Sequence, residues 1–353
     1  MPQHPIDTLI VGQGLAGSAL AWKLRAAGER VCVIDDGHKT SSSRVAAGLI
    51  NPLAGMRFNR RPELRDWLSA ADRWYAQLAQ HFDRPFFHPI PMMRLFRSEQ
   101  QKRFYDKRTQ DDESADLIGA AFDAAQPPEP VDAPFGGFMQ HRTGYVDLPS
   151  LLSMIRDWLQ QDRALLEASF DASSLRISPQ DVEIGDLRAR RVVFCEGAQL
   201  RDNPWFSYLP LQPEKGEILN LQLADRHPKH IVNGAHWLVP LANGTVRFGA
   251  THDHKHFDVQ ATAEGRATLL QGFTAMCKNN PHNEVVDHQA GLRPGTPDRY
   301  PFLGRHPEFP QLWVFNGFGA RGALSIPWYA DALVNHLIED APLPAEADIA
   351  RLK

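Results

Sequence analysis

Cysteine is scarce in this sequence: three among 353 residues, at positions 32, 195 and 277. So small and scattered a set excludes a disulfide-stapled scaffold, and without a Cys-x-x-Cys or clustered His/Cys spacing there is no motif for a metal site. Cys32 and Cys195 fall in apolar, strand-like runs and read as small core residues, which suits a reducing compartment, the cytoplasm. Long hydrophobic runs are missing too, and no stretch of about 18 apolar residues is present to cross a bilayer. The first residues carry no basic segment ahead of an apolar one, so no signal peptide is expected. Neither sign of charge dominates: 38 Lys and Arg against 42 Asp and Glu leave −4, which demands neither nucleic acid nor an anionic membrane as partner. Repeats and low-complexity tracts are absent, which excludes a solenoid. The length fits one large or two ordinary domains with ample core.

What is present is concentrated first in Thr8–Asp36. An apolar run (Leu9, Ile10, Val11) meets Gly12-Gln13-Gly14-Leu15-Ala16-Gly17, and a helical stretch follows with Ala19, Leu20, Leu24 and Ala27 on one face. Gly28 stops it, and a second β-branched run, Val31 to Ile34, ends on Asp35-Asp36. This is the strand, glycine turn, helix, strand and acid that hold a dinucleotide. Gly12 permits the turn, Gly14 lets backbone approach a pyrophosphate, and Gly17 lets helix and strand pack closely. The phosphates then sit at the positive end of the helix dipole. Asp35, at the tip of the second strand, is placed to accept both hydroxyls of an adenosine ribose, which argues against NADP. The motif itself does not separate FAD from NAD.

In the segment after the acids, from Ser41 to Pro52, small residues suggest backbone packed against a ligand; an Ala-rich helix start capped by serine reads equally well. Arg61–Phe82 has the period of an amphipathic helix, with Leu64, Leu68, Ala71, Trp74, Tyr75, Leu78 and Phe82 inward. Phe86–Phe96 is strand-like, and Glu99–Thr109 a short charged helix. Phe135–Tyr145 reads as strand, turn, strand, and Asp147–Leu159 as a helix with Asp147 its N-cap. Strands are expected at Leu175–Ile184, Arg190–Phe194 and Leu209–Leu223. A hairpin is expected from His236–Pro240 to Thr245–Ala250 around Asn243-Gly244, and a helix over Ala261–Met276. The basic residues Arg57, Arg60, Arg61, Arg65 and Lys102, Arg103, Lys107, Arg108 read as solvated helix faces.

The second informative region is C-terminal. A buried strand, Leu312–Phe315, runs into Gly317-Phe318-Gly319-Ala320-Arg321-Gly322-Ala323, which opens a helix to Ile338. That is a second helix N-terminus aimed at a ligand. A single nicotinamide nucleotide unit has no evident use for it. A flavin has: hydride arrival leaves negative charge at N1 and the C2 oxygen, which a helix N-terminus stabilises.

These segments resemble the D-amino-acid oxidase superfamily of FAD enzymes. The resemblance runs through the N-terminal unit, Ser42 to Gly48, Cys195-Glu196-Gly197-Ala198, His236 to Pro240, Phe248 to Thr251 and Gly291 to Glu308, in the family's order. Gly291 to Glu308 is similar to the glycine oxidase branch. Gly319-Ala320-Arg321-Gly322 looks more like the FAD domain of the bifunctional tRNA wobble-uridine modification enzymes. The resemblance implies an α/β (α+β overall) fold, with a Rossmann-like FAD domain of the GR2 type and a substrate domain on a mixed or antiparallel sheet. The FAD domain is expected to be discontinuous (1–52, 145–208 and 290–353) and the substrate domain to comprise 53–144 and 209–289.

By the same resemblance, Gly12, Gly14, Leu15, Ala16, Gly17, Asp35 and Asp36 hold the ADP half. Ser42, Ser43, Arg44, Ala46, Ala47 and Gly48 line the phosphate and ribityl path. Glu196, Gly197 and Ala198 meet the adenosine side, and Gly317 and Gly319 to Ala323 the isoalloxazine. Arg293 matches the arginine that pairs with a substrate carboxylate; set among Leu292, Pro294 and Gly295, its alternative is an internal pair with Asp298. Trp237 and His252 match positions facing the substrate, with Leu49 nearer the ring, though Trp237 reads equally as core and His252 as a solvated rim rather than a metal ligand. Arg321 is open between a second carboxylate contact and a counter-charge for reduced flavin. No cysteine lies near Gly291, where covalent-flavin relatives have one, so FAD is expected to be non-covalent.

The function implied is oxidation of the C–N bond of a small amino acid or N-substituted glycine. Hydride passes to flavin N5, the imine hydrolyses, and dioxygen or another acceptor reoxidises the flavin. One alternative keeps the chemistry but places the amine on a tRNA wobble uridine; it is less favoured, given the acidic net charge. Another is a flavin-binding scaffold with no catalysis.

Overall fold

The computed structural model describes residues 6–224, 227–277 and 283–352. The dinucleotide unit forms as its pattern requires. Strands Ile6–Val11 and Val31–Asp35 pair in parallel and flank the helix Leu15–Ala26, which buries Ala19, Leu20 and Leu24. Ala27 is the C-cap residue, exposed just beyond the last turn. The parallel sheet continues through Leu165–Glu167 on one side, and through Leu187–Phe194 and Leu312–Asn316 on the other. Phe302–Arg305 and a small hairpin, Leu175–Ile177 with Val182–Ile184, add antiparallel edges. The single strand expected over 175–184 is therefore two, turned where Ser178 and Asp181 hydrogen-bond to each other.

A second, mixed eight-stranded sheet orders Asn283–Gly295, Gln212–Leu223, Val246–Gly249, Trp237–Pro240, Ile231–Asn233, Met92–Leu95, Gly137–Gln140 and Ile118–Phe122. The hairpin around Gly244 forms in the register Trp237 opposite Gly249. The long strand Asn283–Gly295 carried no periodicity that marked it in the sequence, and the domain boundary expected at 289/290 falls inside it. Two expected units divide between sheets. Phe87–Pro89 and Gly144–Val146 join Leu49–Ile50 in a three-stranded sheet, while Met92–Leu95 and Gly137–Gln140 go to the large one. Pro89 and Pro91 break the first run, since proline cannot donate to a ladder.

The helix Leu64–His81 buries every residue expected inward except Phe82, which is half-buried, and adds Trp67 and Ala70. Its apolar face packs in one core with Leu20 and with Leu324, Tyr329 and Leu333 of the C-terminal helix Gly322–Glu339, although its residues were expected to belong to the substrate unit. Truncating Leu78 there would cost about 2–5 kcal/mol. The Tyr75 hydroxyl donates to the Ala323 carbonyl at 2.7 Å, so this packing fixes the turn that opens the C-terminal helix. Asp147 caps Leu148–Gln161 as expected, accepting from the Ser150 amide at 3.3 Å. Cys32, Cys195 and Cys277 are buried and unpaired. Among the described residues no helix is long and apolar enough to cross a membrane.

Candidate active site

One continuous cleft of about 1640 Å³ runs from the carboxyl ends of the parallel strands, at Val11, Ile34 and Glu196, to the face of the large sheet at Ile218, Trp237 and Arg293. Single small-ligand pockets are usually ~300–1,000 Å³, so this one accommodates a dinucleotide and a substrate together.

The first end is built on the glycine turn and the serines that follow the second strand. Gly12 has φ +96°, and a Cβ there would lie 2.7 Å from the Cys195 carbonyl oxygen; a Cβ at Gly17 would overlap the Gly12 carbonyl oxygen. Only glycine lets turn, helix and strand approach so closely. The helix starting at Leu15 has no side-chain cap, and its Leu15 amide donates to Ser43 Oγ at 3.1 Å. Ser41 begins the one-turn helix Ser42–Val45 yet does not cap it. Its hydroxyl is buried and unpartnered beside Gly14. An orphan hydroxyl near an uncapped helix N-terminus suits an anion.

The acids differ from expectation. Asp35 Oδ2 accepts from the Gln13 amide at 2.9 Å, while Oδ1 accepts from the amides of Gly37 and His38 and from Arg156 Nη1 at 2.9 Å. Most of its acceptor capacity is thus spent on fixing the turn, leaving one direction on Oδ2 for a ribose hydroxyl. Asp36 lines the cleft beside it. Arg44 turns away from the cleft, its Nη1 3.3 Å from Ser153 Oγ, and Gly17 and Gly317 lie behind the wall. Glu196 accepts from Asn203 Nδ2 at 2.8 Å, and burial pushes its carboxyl up to about 7 against that hydrogen bond.

The second end is formed by Leu49, Trp237, His252, Arg293 and the turn Gly319–Ala323. Arg293 and Glu214 face each other across neighbouring strands, Nη1 to Oε2 at 2.7 Å, and Asp298 is occupied by Arg351 instead. The other Glu214 oxygen accepts from His252 Nδ1 at 2.6 Å. Burial would raise the Glu214 carboxyl, but the His252 hydrogen bond and the Arg293 guanidinium outweigh it and hold it at about 2. The guanidinium lies against Gly216, where any Cβ would overlap it. The helix Gly322–Glu339 has no side-chain cap either. His254 also turns to Glu214, at 3.5 Å, and His256 to Asp253; among the described residues no group of three or more His, Cys, Asp or Glu is placed to hold a metal.

Residues 7–336 match the family of FAD dependent oxidoreductases designated DAO. The chain belongs to this family. It is 26% identical to a glycine oxidase of Pseudomonas aeruginosa over 90% of this chain and 91% of that protein. It is 25% identical to the tRNA 5-methylaminomethyl-2-thiouridine biosynthesis bifunctional protein MnmC of Aromatoleum aromaticum, over 97% of this chain but 58% of that longer protein. The fold superposes on the crystal structure of glycine oxidase from Geobacillus kaustophilus with a TM-score of 0.84 at 21% identity, covering 99% and 98% of the two chains.

As a family member the protein is an FAD-dependent oxidoreductase, which sets aside the non-catalytic scaffold. The residues present fit the cofactor. The orphan Ser41 hydroxyl and the uncapped helix at Gly14 suit its pyrophosphate, and the uncapped helix behind Gly319–Ala323 suits the electron-rich edge of its ring. Of the residues that sequence reasoning assigned to the cofactor, Gly12, Gly14, Leu15, Ala16, Ser42, Ser43, Ala46, Ala47, Gly48, Gly197, Ala198, Ala320 and Gly322 line the cleft. Sequence reasoning gave Ser41 no role beyond its place in the small-residue segment, and it missed Glu214 and the part played by Gly216. A glycine inside a strand signals close approach of another group, and Gly216 carried that signal; nothing local marked Glu214.

Proposed function

We propose that this enzyme oxidises the C–N bond of a small amino acid or N-substituted glycine. The observation that carries the reading is Arg293, its guanidinium against Gly216 on the cleft wall, with Nη1 on Glu214 and, among the described residues, no partner for its remaining donors. A substrate carboxylate meets those donors through charge-assisted hydrogen bonds, which orients the α C–H toward the far wall of the cleft. Trp237 and Leu49 cover the reacting carbon and exclude water from it. Bound FAD supplies the two-electron acceptor for the α-hydride, with dioxygen or another acceptor regenerating it. The amine nitrogen's lone pair closes the C=N bond, and water hydrolyses the imine to a carbonyl compound and an amine.

The 26% identity to a glycine oxidase supports this chemistry without naming the amine. The test is an anaerobic screen in which glycine, sarcosine, proline, D-amino acids and carboxymethylaminomethyl nucleosides are added to the yellow enzyme. Bleaching by at least one carboxylated amine is expected; if none bleaches it, the reading fails.

The similarity to the MnmC protein, together with Arg321 on the cleft wall, favours a second reading in which the amine is carried by a tRNA. Of the basic residues noted in the sequence, Arg60, Arg65 and Arg108 are consumed in pairs with Glu113, Asp116 and Asp111. A tRNA mobility shift that weakens with salt is its test. With three buried, unpaired cysteines, a cytoplasmic setting suits the protein. The division into an FAD unit and a substrate unit is likewise proposed, with the two sheets as their centres.

A further inference from the structure

The positive charge of the cleft is unevenly balanced. On the strand wall, Arg293 is paired with Glu214. Across the cleft the Gly319 turn packs near Gly295, and two residues on, Arg321 is largely buried with its Nη1 atom enclosed and without a hydrogen-bond partner. Arg299, exposed and held at φ +63°, lines the same cleft. Arg61 contacts the residues on either side of Arg299, its guanidinium 4.1 Å from the Tyr300 ring centroid and its Nη2 on the Asp298 carbonyl at 3.2 Å. The neighbouring carboxylate, Asp298, is taken by Arg351 at 3.1 Å. Among the described residues no carboxylate pairs with Arg61, Arg299 or Arg321. Burial first, and then the charges of Arg61 and Arg299, lower the Arg321 guanidinium to about 10.

Neighbouring guanidinium groups without a counter-charge repel one another, and a folded chain keeps such a cluster at a cost that an anion relieves. We infer that Arg61, Arg299 and Arg321 form a second anion subsite at the mouth of the cleft, and that it takes a dianionic phosphoryl-type group carried by the substrate. One negative charge would leave most of the cluster unbalanced, whereas a phosphoryl dianion offers three acceptor oxygens to the forked donors of arginine. The inference rests on the amine-oxidation reading for the word substrate. It narrows that substrate to an amine with a carboxylate at one end, for Arg293, and a phosphoryl group at the other. The phosphoryl group belongs either to a free small molecule or to the terminal phosphate of an RNA, since a backbone phosphodiester carries only one negative charge.

The test uses FAD-loaded enzyme and two probes that contain no amine, acetate and phosphonoacetate, titrated by calorimetry at about 150 mM salt. Phosphonoacetate is expected to bind about tenfold or more tighter than acetate in the wild type. That advantage is expected to shrink to about threefold or less in Arg299→Ala and in Arg61→Ala, and to return in part with Arg299→Lys. Equal affinities in the wild type, or an advantage untouched by both alanine substitutions, would overturn the subsite; the first result would leave Arg321 as a counter-charge for the flavin alone. Because neither probe can be oxidised, this outcome is independent of the amine screen. An RNA hairpin bearing a 5′-phosphate that displaces phosphonoacetate from the wild type but does not bind Arg299→Ala assigns the phosphoryl group to RNA. A hairpin that leaves phosphonoacetate bound assigns it to a small molecule.

Discussion

Glu214 and Arg293 sit directly opposite each other on adjacent antiparallel strands, with Oε2 accepting from Nη1 at 2.7 Å. Because an ionised carboxylate only accepts, the 2.6 Å contact from its other oxygen requires His252 Nδ1 to carry the proton. The arginine assigned to the substrate carboxylate thus already has a resident competitor. Removing that competitor should help a small anion: in Glu214→Gln, acetate is expected to bind about tenfold tighter, equivalent to ~1.4 kcal/mol. Flavin difference spectra on titration measure it, and weaker binding in the variant would show that Glu214 orients Arg293 rather than competing for it.

Arg293→Ala is expected to raise KM for carboxylated amines by about 10–100-fold, the loss of one charge-assisted pair, while FAD is retained. Gly216→Ala should reproduce part of that effect, since a methyl group there overlaps the guanidinium. Steady-state kinetics beside FAD fluorescence separates the two consequences. Unchanged KM in both variants would mean the carboxylate is bound elsewhere.

Glu214 also gives stability a pH dependence. Its folded value, about 2, lies below that of an unfolded glutamate, about 4.3. Its contribution is therefore complete above pH ~4.3 and is lost as pH falls toward about 2. Urea midpoints across this window should fall more steeply for the wild type than for Glu214→Gln; parallel slopes would show that the ion pair contributes nothing.

Glu196 works with the opposite sign. Burial holds its folded value at about 7, so the folded protein keeps a proton that the unfolded chain releases near pH ~4.3. Stability is lost as pH rises between these values and stays lost above them. Glu196→Gln is expected to be more stable than the wild type at pH 8, on the order of 1–3 kcal/mol, with the difference vanishing near pH 4. Thermal unfolding at the two pH values measures it.

Gly17→Ala should release FAD, because its Cβ would overlap the Gly12 carbonyl oxygen and force the helix away from the turn. The expected outcome is colourless protein with intact far-ultraviolet circular dichroism. A variant that stays yellow would place the phosphates away from this turn.

Local rules account for what was legible in the chain. The unit Ile6–Asp35, the 3.6-residue period over Leu64–His81, the Asp147 cap and the Asn243-Gly244 hairpin all depend on neighbours within a few residues. The glycine pattern of Gly12, Gly14 and Gly17 marked the turn at one end of the cleft for the same reason. The strands of 86–96 and 135–145 were recognised, but their division between two sheets was not, because pairing partners lie far away in sequence.

The amino-acid sequence alone determined the cofactor unit and the presence of Arg293, since both are written in short-range patterns. Only the tertiary structure decided what Arg293 does at rest. The ladder between Gln212–Leu223 and Asn283–Gly295 brings Glu214 against it across 79 residues of chain, and a shift of one residue would turn Glu214 to the opposite face. The contact of Arg61 with Asp298 and Tyr300, on either side of Arg299, is of the same kind. Register and packing place charges together, and no local motif encodes either.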